Sequence, residues 1–179
     1  ELARPSMQDI ATRHQGAVSL GARRGDGMIY LQRCQGSQII LKDMIVGSQV
    51  PILCSATGWA YIAGLEQAER KVLFNELRRS DAKSFKEFIP KITHALTNYA
   101  QTGYVINIGS LHPQINAVAV PVASEDRSIL LSLSSGGIKQ LHICPVDFIT
   151  KSSGYRRGPP KSAIQHRKPA YPIGLFRTY

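Results

Sequence analysis

Residues 46–65 read VGSQVPILCSATGWAYIAGL, and the change of character at the centre of this stretch decides the fold. Gly47 and Pro51 end an extended segment, SQIILKDMIVGSQVP. Ser55 then precedes a run of small and apolar residues, Ala56, Gly58, Ala60, Ile62, Ala63 and Leu65, that stops near Gly64. A serine in that position is a helix N-cap. The backbone N–H groups that follow it, on Ala56, Thr57 and Gly58, lack intrahelical acceptors, and together with the helix dipole they suit a carboxylate or another small anion. On the motif alone, a cap that merely closes a tightly packed helix is the plainer reading, because most caps bind nothing.

Working outward, residues 2–14 place Leu2, Met7, Ile10 and Ala11 at helical spacing, with Pro5 near the first turn where it is tolerated. AVSLGARRGDGMIYLQRCQG, residues 17–36, alternates around a Gly-Asp-Gly turn and reads as a β-hairpin. Its pattern puts Val18, Leu20 and Ala22 on one face, and Ile29 and Leu31 on the face of the returning strand. Two helices are expected after the opening stretch, one around EQAERKVLFNEL and a longer one around SFKEFIPKITHALTNYAQTG. In the longer one Phe85, Phe88, Ile89, Ile92, Leu96 and Tyr99 recur at three-to-four spacing, Pro90 marks a late start or a kink, and Gly103 is the stop. Residues 104–122 return to alternation, with Val118 and Val120 opposing Ala117 and Ala119. After the turn SEDR, SILLSLSSGG at 128–137 gives another strand. The order strand, strand, strand, helices, strand, strand predicts an α+β fold, an antiparallel sheet with helices grouped on it.

With 179 residues, 43% of them hydrophobic, the chain has enough apolar surface for one ordinary core. Its net charge of +10 is unevenly placed: residues 138–179 hold eight Lys/Arg and one acid, Asp147, which leaves only +3 for the first 137 residues. The high charge therefore says little about the partners of the globular part. Five of the ten prolines also fall in that last segment, without sustained periodicity, so a domain at 1–137 and an irregular basic segment at 138–179 are expected. Leu141, Ile143, Val146 and Phe148 would suit a short added strand there. No long apolar run or secretion-type leader is present, which points to a cytoplasmic protein without membrane contact.

Cys34, Cys54 and Cys144 are odd in number and lack metal-type spacing, so reduced thiols are expected rather than disulfides or zinc. The five histidines are scattered, and neither a metal nor a cofactor is predicted. Cys54, beside a helix start, would be the nucleophile of an enzymatic alternative, but no base has a fixed relation to it in the sequence. Ser132 and Ser134 alternate and therefore share a strand face, and Asn107 and Asn116 lie on the preceding strand pair. If that face is the inner one, these polar groups need partners, which a polar ligand can supply. The basic segment interleaves cations with tyrosines in YRRGPPKS and QHRKPAYP, which fits phosphates or single-stranded nucleic acid as well as it fits a solvated tail.

The segments LARPSMQDIATRHQGAVSLGARRGDGMIYLQR, VGSQVPILCSATGWAYIAGL, TGYVINIGSLHPQINAVAVPV and LLSLSSGG occur in the order found in the C-terminal effector-binding domain of IclR-type bacterial transcription regulators, which residues 1–137 resemble. The resemblance implies a GAF-like domain whose curved antiparallel sheet and helices enclose a pocket for a small organic acid. It also implies a homodimer or homotetramer, and a sensor rather than an enzyme. By the family pattern the acid is held at Ser55, Ala56 and Thr57, and the strand positions that face it are Asn107, Ala117, Ser132 and Ser134. The sequence departs from that pattern where Asn107 stands for a frequent acid, Ala117 for a cysteine of some members, and Trp59 for a common basic residue, which points to a larger or more apolar acid, aromatic ones included. Family members read DNA through an N-terminal winged helix-turn-helix, which this sequence is expected to lack. They end in an amphipathic helix, where this chain has IKQLHICPVDFITKSSGYRRGPPKSAIQHRK, the kind of shift that a changed reading frame or an alternative gene end produces.

Overall fold

The computed structural model describes residues 3–37 and 44–138. The expected strand at 141–148, Cys144 and the basic segment lie outside the described residues, as do Leu2 and the middle of SQIILKDMIVGSQVP. Four helices, α1 (Arg4–Arg13), α2 (Ala56–Gly64), α3 (Gln67–Ser80) and α4 (Ala82–Thr102), accompany six strands. These are β1 (Ala17–Arg24), β2 (Gly27–Gln35), β3 (Gln49–Pro51), β4 (Val105–Ile108), β5 (Ile115–Ala123) and β6 (Leu130–Ile138). Every neighbouring pair is antiparallel, in the order β3-β2-β1-β6-β5-β4, giving a curled α+β half-barrel.

Strand alternation divides the interior into two cores. On one face, α1 lays Met7, Ile10 and Ala11 against Val18, Cys34, Val118 and Val120. On the other, α2 and α4 cover Met28, Tyr30, Val105 and Ala119, with Leu73 and Leu77 of α3 completing the cluster. The opposition of Val118 and Val120 to Ala117 and Ala119 holds, and it has a packing reason. Valines fill the space under α1, whereas alanines let α2 come close. The residues of 104–122 form two strands, not one, because the loop at 109–114 turns the chain back to pair Asn107 with Ala117.

The hairpin forms as expected and Ile29 pairs with Ala22, but the face assignment of Leu31 does not hold. Leu20 pairs with Gln32 and Gly21 with Tyr30, so Leu31 is an extra residue, a β-bulge. Met28 and Tyr30 point to the α2 side, Cys34 points to the α1 side, and Leu31 is left 46% exposed. One inserted residue reverses the parity of everything after it.

Helix α2 begins where the sequence places it. Ser55, with extended backbone, accepts the Gly58 N–H through Oγ at 3.1 Å. The helix then packs so tightly that a Cβ on Gly58 would fall on the Ile52 carbonyl. In α4 the apolar stripe faces the core, with Phe85 and Ile92 buried and Phe88, Ile89, Leu96 and Tyr99 partly buried against it, and the helix continues through Pro90 because the carbonyl it frees, on Lys86, belongs to an exposed residue. Gly103 ends α4 in the left-handed conformation at φ 81°. The steric limit at residue 58 predicts that Gly58→Ala lowers unfolding free energy by about 2 kcal/mol or more, read from urea denaturation midpoints.

Candidate functional site

A cavity of about 70 Å³ lies between the start of α2 and the sheet. Its floor is formed by strands β2, β1 and β6, where the inward side chains of Arg33, Ser19 and Ser134 stand in one row, since Ser19 pairs with both of the others. Ser55, Ala56 and Thr57 form the helix side, and Met44, Leu111, Ile115 and Ala117 supply apolar walls. Small volume and mostly apolar lining suit a compact ligand, since sites for drug-sized molecules run to roughly 300 Å³ or more.

The helix start is polar and buried. Thr57 Oγ1 donates to Ser134 Oγ at 2.9 Å, and Ser134 Oγ in turn lies 3.4 Å from the Ser19 carbonyl oxygen, to which it donates. This chain ties α2 to the middle of the sheet. Among the described residues, no acceptor takes the N–H of Ala56 or of Thr57, so two backbone donors remain available at the positive end of the helix dipole.

Opposite them, Arg33 lines the cavity through the parity change at Leu31. Its Nη1 donates to Ser19 Oγ at 2.8 Å, and its guanidinium carbon sits 5.5 Å from the centroid of the Tyr30 ring, a cation–π distance. Its Nε is buried without a partner among the described residues. Burial pushes the Arg33 pKa down from its ordinary value, an effect partly offset by Tyr30, but an arginine so placed stays charged at neutral pH. Burial likewise raises Tyr30, against the opposing influences of Arg33 and the Thr57 hydrogen bond.

Of the residues singled out from the sequence, Ser55, Ala56, Thr57, Ala117 and Ser134 meet at this cavity. Asn107 and Ser132 do not line it. Asn107 donates from Nδ2 to the Cys54 carbonyl at 2.9 Å and accepts the Ser110 N–H on Oδ1 at 3.2 Å, so it fastens the chain just before α2 to the turn after β4. Ser132 is 0% exposed, and its hydroxyl has no partner among the described residues. Trp59 also turns away from the cavity and donates its indole N–H to the Leu53 carbonyl at 2.7 Å. Trp59 therefore acts on helix packing and not on the cavity wall. Sequence reasoning missed Arg33, Ser19 and Tyr30; the one local signal was an arginine inside a strand of otherwise alternating character.

Cys54 does not have the environment of a nucleophile. Burial raises its thiol pKa above the ordinary value, and Glu87 adds to the rise against a backbone hydrogen bond. Among the described residues, no group of three His, Cys, Asp or Glu side chains gathers to hold a metal ion. A larger open groove lies at the far end of α2, but its acids are already engaged. Glu66 and Glu69 form a capping box at the start of α3, and Arg127 pairs with Glu66 at 3.6 Å.

The sequence profile described as bacterial transcriptional regulator IclR C-terminal matches residues 1–140. This chain belongs to the IclR family. Among curated relatives, the HTH-type transcriptional regulator KipR of Bacillus subtilis (strain 168) is 21% identical over 140 residues, 78% of this chain and 56% of that protein. The chain thus spans about half the length of the curated relatives it matches. The crystal structure of an IclR family transcriptional regulator from Brucella abortus superposes with a TM-score of 0.77 at 25% identity, covering 86% of this chain and 60% of that one. An IclR homologue from Microbacterium hydrocarbonoxydans, complexed with 4-hydroxybenzoate, shares the fold with a TM-score of 0.68 at 17% identity, over 86% of this chain and 65% of that one.

The raised thiol pKa gives a direct check. In a variant whose single cysteine is Cys54, alkylation by iodoacetamide should be slower than that of a free cysteine at pH 7.5. Its rate should rise with pH to an inflection above that of the free thiol, since less thiolate is present at any given pH.

Proposed function

We propose that this chain is the effector-sensing part of an IclR-type transcription regulator, and that it binds a small organic acid between α2 and the sheet. One observation carries this reading: Ala56 and Thr57, whose backbone N–H groups have no acceptor among the described residues, line a mostly apolar cavity that also holds an arginine. Ser55 fixes the helix start, Thr57 and Ser134 hold it against the sheet, and Ala117 leaves room for the body of the acid. Met44, Leu111 and Ile115 favour an apolar body, aromatic acids included, and the 4-hydroxybenzoate held by the Microbacterium hydrocarbonoxydans protein supports that class. Asn107 serves the site from behind, by holding the chain at Cys54.

The sensing portion is residues 1–137, and 138–179 form a separate basic segment. The protein acts in the cytoplasm as a homodimer or homotetramer. Among the described residues, no helix is long and apolar enough to cross a membrane. Effector binding shifts the balance between two arrangements of the assembly, and so changes DNA binding by the reading domains that such regulators carry. It acts as a sensor rather than an enzyme, a reading supported by Cys54, the thiol that would serve catalysis, whose pKa is pushed up by burial.

A thermal-shift screen of the full chain against pyruvate, benzoate and 4-hydroxybenzoate tests the reading. At least one acid should raise Tm, with a stabilisation of about 2.7 kcal/mol when it is present at a hundred times its Kd. Absence of any shift across the panel would sink it. Ala56→Pro probes the donors directly. Proline is tolerated at the first helical position, the extended Ser55 suits a residue before proline, and the change deletes one N–H. Affinity for the acid should fall roughly tenfold, with helix content by circular dichroism retained.

A further inference from the structure

From the bulge at Leu31 and the row of side chains it creates, we infer that Arg33 is the counter-charge of this cavity. It is the residue that makes the site select a carboxylate over a neutral molecule of the same shape. The inference rests on the acid-binding reading above and adds the residue that sets its charge specificity. Strict alternation from Met28 and Tyr30 would send Arg33 to the α1 side, into the apolar cluster of Val18, Val118 and Val120. The extra residue at Leu31 turns it to the cavity instead, and bulges recur beside binding sites because they re-aim side chains in this way.

The guanidinium is only partly occupied where it sits. Ser19 Oγ takes one donor at 2.8 Å and the Tyr30 ring lies beneath the charge, yet the buried Nε has no acceptor, and no described carboxylate pairs with the group. A buried donor without an acceptor is costly, and a half-buried cation without an anion adds to that cost. A ligand carboxylate removes both costs at once. It accepts from the planar guanidinium while its other oxygen lies toward the Ala56 and Thr57 N–H groups across the cavity. The helix end contributes about half a charge and Arg33 a whole one, so the arginine dominates the discrimination between an acid and its amide. Among the described residues that line the cavity, Arg33 is the one carrying a formal charge.

The test is isothermal titration of the full chain with whichever of pyruvate, benzoate or 4-hydroxybenzoate raises Tm most, alongside its amide. The wild-type chain should bind the acid at least tenfold more tightly than the amide. Arg33→Gln should lose roughly 10- to 100-fold for the acid and less than threefold for the amide, because only the acid forms the charge-assisted bond. Arg33→Lys, which keeps the charge but not the fork, should fall between the two. Fluorescence of the single tryptophan, Trp59 on α2, and the melting temperature report whether each variant is folded. A role confined to holding Ser19 and Tyr30 in place would weaken acid and amide alike, and that result overturns the inference. So does a wild-type chain that binds acid and amide equally, a comparison that needs no variant. If the wild-type chain binds none of the acids, the acid-binding reading fails and this one with it; if it binds acid and Arg33→Gln binds as tightly, only the role of Arg33 fails.

Discussion

The close seating of α2 on the sheet is the constraint on which the rest of the structure depends. It is possible because residues on both sides are small: Gly58 clears the Ile52 carbonyl, and Ala119 replaces the valines found on the opposite face of β5. Burial of the helix start would be costly if its polar groups were unpaired. The Ser55 cap, the Thr57 to Ser134 hydrogen bond and the link from Asn107 to the Cys54 carbonyl meet most of that demand. Among the described residues they leave the first two N–H groups of the helix, on Ala56 and Thr57, without an acceptor, and both residues line the cavity.

A helix held in this manner is suited to signalling. Its first turn lines the cavity, and its end is gripped by Arg70 of α3, which donates to the carbonyls of Ile62, Ala63 and Leu65. The last carbonyls of a helix lack intrahelical donors, so this arginine joins α2 mechanically to α3. On the proposed reading, a ligand that altered the seating of the first turn would act on a helix whose far end is tied to the next one. Because packed interiors resist continuous deformation, such a change is expressed as a shift between discrete arrangements.

Much of the architecture was legible in the sequence. Helix periodicity located α4, Gly103 ended it, and the alternation of Val118 and Val120 with Ala117 and Ala119 assigned both faces of β5. These are properties of a single segment, and its own spacing encodes them. The loop at 109–114 was not resolved from the strands beside it, because NIGSLHPQIN carries turn residues without fixing where pairing resumes. At the cavity, Ser55, Ala56 and Thr57 followed from local cap chemistry, and Ala117 and Ser134 from the family pattern.

By itself, then, the sequence determined the helices and most of the strands, the capped start of α2, the free donors that a helix end must present, and the family. Tertiary structure alone decided which polar side chains face those donors. Arg33 enters the cavity because of an extra residue at Leu31, and a bulge is a property of two paired strands, invisible in either one. Asn107 and Ser132 stay outside because the helix covers the inner face of the sheet and leaves the cavity only beside its first turn. Alternation assigns a residue to a face of a strand, whereas the packing of another element on that face decides whether the residue meets ligand or backbone.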